Sequence, residues 1–412
     1  MQDALSILHA QDDAPPDAPR RLKVVQLTDR VGTHGGAEHL TMQIAERLDG
    51  ERFESMVCAT RFSEKERERP TVAQAVERLE RGGVRFLGLE RRSRIELWAW
   101  RPLVKLLREE RVDVVHAHKF GANVWGVIIG RFAGVPVVIT HEHGWSFEGD
   151  PLKRFLDREL IARGSNAFVA VSREDQRRMV EVERIKREDT VFVPNGIPPL
   201  PAPTGHDVRG ELDIAPGQPV VGTVGFLREP KGMDNLVRAT AALARSLPTV
   251  KVLVAGEGPD RQMLERLIDE LGVRDNVMLL GLRRDVPDVL AALDVAVCPS
   301  DSEGSPLSVM EYMDAGLPVV GTRVGGVPDL IDEGVEGLLV PRRDPEALAA
   351  ALAKLLQDPA TARAMGERGR ARRAREFDID VMVSNLESLY LRLYGQTERG
   401  HTEGFAPRAL AA

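Results

Sequence analysis

The sequence predicts an α/β protein made of two doubly wound, Rossmann-like domains that face each other across a central cleft. Three observations predict it. Short β-branched runs alternate with amphipathic stretches from Leu22 onward. The alternation stops at a proline-rich segment, residues 197–205 (IPPLPAPTG), and then begins again. The 412 residues exceed what one ordinary core organises, so two domains are expected.

The first series of expected strands covers residues 22–28, 54–60, 84–89, 113–118, 135–140, 167–171 and 190–193. The second covers 220–224, 251–255, 277–280, 294–298, 319–321 and 337–340. Strand–helix alternation implies parallel sheets with right-handed crossovers. The expected organisation is a disordered tail at 1–20, a first domain at 21–200 and a second at 201–375. A last helix at 376–394 is placed to cross back to the first domain, and 395–412 is a second tail. In such sheets ligands bind beyond the carboxyl ends of the strands, so those ends are where chemistry is sought.

Composition removes several classes. Hydrophobic residues at 43% and charged residues at 29% fit a globular enzyme. A net charge of −7 argues against nucleic acid as a partner, and 5% aromatics are too few for base-stacking platforms. Cys58 and Cys298 each sit in an apolar run and read as buried thiols in a reducing compartment. No apolar run is long enough to span a bilayer. The first residues carry acids and prolines, not the basic-then-apolar order of a signal peptide, so a cytoplasmic location is expected.

The most informative run is Glu303-Gly-Ser-Pro-Leu-Ser-Val-Met-Glu311, which follows the strand pattern at 294–298. Pro306 suits the first position of a helix and Ser305 its N-cap. Glu303 then stands in the loop, and Glu311 in the second helical turn leans back toward the N-terminus. Free backbone N–H groups between them make an anion site. A phosphate there, with a carboxylate on either side for sugar hydroxyls, is the chemistry of a nucleotide sugar. Read alone, the same residues are also a capped helix with a solvated glutamate.

Other strand ends add to this. Thr33-His-Gly-Gly-Ala-Glu38 lets backbone approach a ligand at Gly35 and Gly36, but lacks the spacing of a dinucleotide fingerprint. His116-Ala-His118 and His141-Glu-His143-Gly144 gather four of the nine histidines at two strand ends. They could chelate zinc, although no further carboxylate–histidine cluster completes a shell, and hydrogen bonding or core packing is the plainer reading. Asp378-Ile-Asp380 reads as a helix start. After the strand at 220–224, Arg228 and Lys231 are two cations able to neutralise a diphosphate. Gly256-Glu-Gly-Pro259 and Leu279-Leu-Gly-Leu-Arg283, with Leu282, mark two further strand ends.

Taken in order, these motifs resemble the retaining glycosyltransferases of family 4, of the group 1 type, which have the GT-B fold. The resemblance covers about residues 22–394. It is carried by Gly35-Gly36-Ala37-Glu38, Asp113-Val-Val-His-Ala-His118, Val193-Pro-Asn-Gly196 and Lys231-Gly232. Gly256-Glu-Gly-Pro259, the paired glutamates, Gly321-Thr-Arg-Val-Gly-Gly326 and Gly337-Leu-Leu-Val-Pro341 complete the set. It implies catalytic or sugar-contacting roles for Glu303 and His118, ribose contact for Glu311 and diphosphate contact for Lys231. Backbone from Gly304 through Ser305 and Pro306 to Leu307 would hold sugar or phosphate, with Gly35, Gly36 and Leu282 also at the donor. The family often carries Arg where this chain has Phe226; Arg228 lies two residues on, on the same side of an extended segment, and can supply that charge.

The implied reaction needs no cofactor and no metal. A nucleoside diphosphate sugar (UDP or GDP) donates a hexose-like sugar to a glycan, a lipid-linked or a small-molecule acceptor, as in polysaccharide biosynthesis. The basic stretch 90–108, with Trp98 and Trp100, suggests peripheral contact with an anionic membrane surface. A solvated helix face over a core explains it equally. Two rivals use the same cleft: a nucleotide-sugar epimerase or hydrolase, and a non-catalytic nucleotide-binding regulator.

Overall fold

The computed structural model describes residues 20–32, 35–91, 93, 96–144 and 150–402. Most of the two expected tails, together with Thr33, His34, Arg92, Arg94 and Ile95, lie outside these residues. The first sheet contains β1 (Leu22–Thr28), β2 (Phe53–Ala59), β3 (Arg85–Gly88), β4 (Val114–His118), β5 (Val137–Glu142), β6 (Ala167–Ala170) and β7 (Thr190–Phe192). Its order is β3-β2-β1-β4-β5-β6-β7, parallel throughout.

The second sheet contains β8 (Val220–Val224), β9 (Lys251–Ala255), β10 (Val277–Gly281), β11 (Val295–Cys298), β12 (Val319–Thr322) and β13 (Gly337–Val340). Its order is β10-β9-β8-β11-β12-β13, again parallel. The strands are near-continuous apolar runs because helices cover both faces of each sheet. Strand order reverses between β1 and β4 and between β8 and β11. At such a switch point the two crossovers leave in opposite directions and open a crevice. The residues after β1, β4, β8 and β11 therefore face one cleft.

The chain crosses between the domains twice, side by side. Ile197 N–H donates to the Phe377 carbonyl and Ile379 N–H to the Ile197 carbonyl, each at 3.0 Å. Asp378 caps the helix Ile379–Gly395, accepting from Asp380 N–H. That helix buries Met382, Leu386, Leu389 and Tyr390 against Leu22, Val24, Val114 and Val137 of the first sheet. Chain beyond 395 continues as a helix, Glu398–Thr402, where a tail was expected. The buried Asp113 explains this order: it accepts from Arg399 at 3.2 Å and from Arg20 at 3.0 Å.

Three local expectations need correction. β5 runs two residues later than expected, so His141 and Glu142 are strand residues, and His141 pairs with His118 in register. The cause is Gly134, left-handed at φ 78°, which keeps Val135 N–H bonded to the Gly130 carbonyl as a helix cap. The helix after β11 is Leu307–Asp314, with Pro306 and not Ser305 at the cap, and no side chain capping it. Trp100 is buried, stacked on Trp125 with centroids 5.1 Å apart; only Trp98 of that pair is on the surface. Among the described residues no helix is long and apolar enough to cross a membrane.

Candidate active site

Strand β8 ends in Val224, and the chain turns through Gly225–Gly232 before the helix Met233–Ala244. Phe226 and Arg228 are exposed, and the fully buried Leu227 lies between them, so both project to one side. Gly232 is left-handed, and a Cβ there would stand 2.1 Å from the Pro299 carbonyl oxygen. Only glycine permits this approach, which sets Lys231 beside the loop after β11. The Lys231 ammonium donates to Glu303 Oε1 at 2.6 Å, and Ser300 Oγ donates to the same oxygen at 2.7 Å. A cation from one strand end and an anion from another are thus paired before any ligand arrives.

Gly304 carries the contact between domains. A Cβ on it would lie 2.5 Å from the His143 carbonyl oxygen and 2.8 Å from Gly144 Cα. Its own carbonyl accepts from Gly326 N–H at 2.7 Å. Asn195 Nδ2 donates to the Ser305 carbonyl at 3.2 Å, and Arg173 N–H donates to Asp329 at 2.8 Å, so two further bonds hold the cleft walls together. Gly36 opens the helix Gly36–Arg47 and faces Leu307 across the cleft; a Cβ on it would stand 3.3 Å from Leu307 Cδ1. Gly35 is extended at its cap, and Lys119 pairs with Glu38 at 2.5 Å to tie this helix to the end of β4. Pro306 has no N–H, so the backbone donors here come from Gly304, Ser305 and Leu307 and onward, and Pro306 contributes shape.

Glu311 lies in the second turn of its helix, and burial lifts its carboxyl to about 7. Leu282 is 62% exposed after β10. The Arg228 carbonyl accepts from Lys231 N–H at 2.9 Å, but among the described residues neither the Arg228 nor the Leu282 side chain is bonded to the Lys231–Glu303 pair.

The four histidines form one cluster, in which His116, His118 and His141 are buried and His143 is half-buried. His118 Nε2 is 2.8 Å from Gln26 Oε1, and His118 Nδ1 is 3.0 Å from His143 Nε2. His116 Nδ1 is 2.6 Å from the Tyr390 hydroxyl. Asn123 holds the His141 backbone from both sides, accepting from its N–H and donating to its carbonyl. Burial first, then neighbouring rings, holds the His116, His118 and His143 imidazoles well below their usual pKa, so they are neutral; burial alone pushes His141 down to about 3. Beside them Glu142 is held well above the usual carboxylate range by burial and by Asp157 and Asp175.

His116, His118 and His141 offer nitrogens within 4.8 Å of one another, the spacing of a metal triad. His118, however, has both nitrogens engaged, and a metal would have to displace Gln26 or His143. The same engagement means that His118 reaches a ligand only by exchanging one of those bonds. Gln26, Tyr390 and Asn123 were not singled out from sequence, whereas His143 was, with His116, His118 and His141, as a chelating or hydrogen-bonding histidine. A glutamine inside the apolar strand LKVVQLT was the one local signal. A separate cavity of about 510 Å³, bordered by Arg108, Arg111 and Arg399, lies before β4 and β5 at the opposite end of the sheet and holds none of these groups.

Known proteins resemble this chain in sequence and in fold. Residues 34–199 match the family description Glycosyltransferase Family 4, and residues 206–372 match Glycosyl transferases group 1. Over 332 residues the chain is 30% identical to the D-inositol 3-phosphate glycosyltransferase of Kineococcus radiotolerans, covering 73% of this chain and 75% of that one. Over 302 residues it is 26% identical to the UDP-Gal:alpha-D-GlcNAc-diphosphoundecaprenol alpha-1,3-galactosyltransferase of Escherichia coli, covering 70% and 78%. For one curated relative the matched stretch spans only 50% of its length. Among solved structures, HepE of Anabaena in complex with UDP superposes with a TM-score of 0.76 at 23% identity, over 89% of this chain and 99% of that one. Sucrose-phosphate synthase of Thermosynechococcus elongatus gives 0.72 at 20% identity, over 92% and 100%. At these identities the solved structures share the fold.

Proposed function

As this chain belongs to the group 1, family 4 glycosyltransferases of GT-B fold, it moves a sugar from a nucleotide-sugar donor, and we propose that it does so with retention of anomeric configuration, passing a hexose from a nucleoside diphosphate to an acceptor hydroxyl. The observation that carries this reading is the Lys231–Glu303 pair, set at the N-terminus of the helix Leu307–Asp314 and against the other domain at Gly304.

When the sugar–phosphate bond breaks, negative charge collects on the diphosphate and positive character on the sugar. Lys231, Arg228 and the free amides around Gly304 and Leu307 stabilise the first without a metal. Glu303 accepts sugar hydroxyls, and Glu311 accepts those of the ribose. Glu303 Oε1 is already held by two donors, which suits a fixed acceptor better than an attacking nucleophile. The acceptor hydroxyl attacks from the face the phosphate leaves, and a phosphate oxygen takes its proton. Uridine is the proposed nucleotide, because HepE is seen with UDP and the Escherichia coli relative is named for UDP-Gal.

The proposed setting is cell-surface glycan synthesis by a cytoplasmic enzyme working at the membrane surface. Its support is Trp98, 70% exposed under the Arg101 guanidinium, and the exposed Phe132 under Arg108. Aromatic rings beside cations suit a lipid headgroup layer. Thermal-shift titration with a panel of UDP, GDP and ADP sugars tests the donor. Product analysis with and without acceptor then separates transfer from epimerisation or hydrolysis, either of which without any transfer would refute the reading.

A further inference from the structure

The Glu303 carboxylate is held unevenly. The Lys231 ammonium at 2.6 Å and Ser300 Oγ at 2.7 Å both meet the same oxygen, Oε1. Neither bond can run the other way, since an ammonium has no lone pair to offer and a carboxylate has no proton to give. A carboxylate oxygen has two lone-pair positions, so Oε1 is full. Oε2 has no hydrogen-bond partner among the described residues, and it is not one of the covered orphan oxygens of this protein. Glu303 thus keeps one oxygen for a ligand. The next residue, Gly304, abuts His143 and Gly144 of the first domain, which puts Glu303 at the wall of the cleft.

Ser300 is itself fixed. It is 2% exposed, just past the end of β11. Its proton is committed to Glu303, so its oxygen accepts from the Cys298 thiol at 3.8 Å. Its carbonyl accepts from Thr322 Oγ1 at 2.5 Å, and Thr322 is the fully buried last residue of β12. The loop after β12 holds the backbone of Glu303. Gly325 is left-handed at φ 49°, and a Cβ there would stand 1.6 Å from the Glu303 carbonyl oxygen. Side chain and backbone of Glu303 are therefore set by two neighbouring strand ends before a ligand arrives.

We propose that Ser300 is a positioning residue: with Lys231 it occupies Oε1, so that Glu303 presents Oε2 alone to a hydroxyl of the transferred sugar, and Thr322 keeps Ser300 in place. The sugar in this statement rests on the glycosyltransferase reading; the filling of one oxygen does not. Without the Ser300 hydroxyl, Oε1 regains a lone pair and the carboxylate is free to turn about its last bond. A hydroxyl at another point of the sugar ring is then accepted as well. Ser300 thereby sets how sharply the enzyme tells sugars apart by that hydroxyl.

A crystal structure of the unliganded wild type tests the arrangement without reference to function. Lys231 and Ser300 should meet one oxygen of Glu303, and the other oxygen should meet neither. Donors on separate oxygens overturn the proposal. Selectivity is read with the nucleotide sugar that the wild type turns over and its monodeoxy analogues, each giving a ratio of kcat/KM for the intact donor to that for the analogue. Ser300→Ala should lower one ratio, from at least about tenfold to about threefold, and leave the others and UDP affinity unchanged. Thr322→Val, which keeps the shape and leaves the Ser300 hydroxyl in place, should move the same ratio in the same direction. A merely structural role would lower kcat/KM for every donor alike, so unchanged ratios in both variants overturn the positioning. A wild type with both donors on one oxygen that turns over no nucleotide sugar would refute the functional reading and the sugar contact with it, leaving the filled oxygen standing.

Discussion

Glu311→Gln separates the two things that the Glu311 carboxyl does. Burial raises it to about 7, where an ordinary glutamate stands at 4.5. The sign of the stability effect follows: the folded state holds this proton more tightly than the unfolded chain does. Its contribution is fully present below the unfolded pKa and is lost as pH rises through about 7. The unliganded Gln variant should therefore melt above the wild type at pH 8 and not at pH 4. Donor binding should move the other way. If the ionised carboxylate accepts the ribose hydroxyls, the binding-competent fraction rises about tenfold between pH 6 and pH 8. Removing a charged acceptor adds a loss of roughly 1–3 kcal/mol at pH 8. The assay is calorimetric titration with a nucleotide sugar, whose diphosphate diester does not titrate in this range, at pH 6, 7 and 8. Wild-type affinity should climb across the series, and Glu311→Gln should be weak and flat. A flat wild-type profile together with unchanged affinity in the variant would remove Glu311 from the site.

The remaining predictions concern the phosphate, the interdomain contact and the metal. Arg228→Ala and Lys231→Ala should each weaken UDP far more than uridine, and together less than additively, because both grip one diphosphate; equal weakening of both ligands would indicate a folding defect. The Lys231 variant should also lower the melting temperature, since it strands Glu303, only 9% exposed at its side chain, without its cation. Gly304→Ala should cut turnover by at least about tenfold with little change in melting, because its Cβ meets the His143 and Gly144 backbone at 2.5–2.8 Å and holds the domains apart. Wild-type turnover here would show that the two domains need not meet at this point. Excess EDTA should leave initial rates unchanged; loss of activity restored by one cation would put a metal among His116, His118 and His141.

Much of this site could be read from sequence because its parts sit at strand ends, where local pattern is strongest. The run from Glu303 to Glu311 and the pair Arg228 and Lys231 follow buried strands directly, and doubly wound sheets bring such ends to one cleft. What could not be read depends on distance along the chain. The Gln26–Tyr390 bond joins residues 364 positions apart, and no periodicity in either segment reports the other. The bond between Lys231 and Glu303 was hidden for the same reason: each looked free for ligand when read alone. Errors of one or two residues arose where two local rules competed. At the helix after β11, proline's preference for the first turn gave way to an extended Pro306, with the preceding Ser305 carbonyl bound by Asn195. Trp98 and Trp100 shared one basic stretch in sequence, yet the turn at Leu97–Trp100 sends one outward and stacks the other on Trp125.

The central claim is transfer of a sugar with retention, and one measurement addresses it most directly. Proton NMR of the linked product formed from an α-configured nucleotide sugar and its acceptor reports the anomeric coupling directly, since a glycoside does not mutarotate. A small coupling, the signature of an α-linked product for gluco- and galacto-configured sugars, is the predicted result. A β-linked product would contradict retention, and free sugar or an epimerised donor with no linked product would contradict transfer itself.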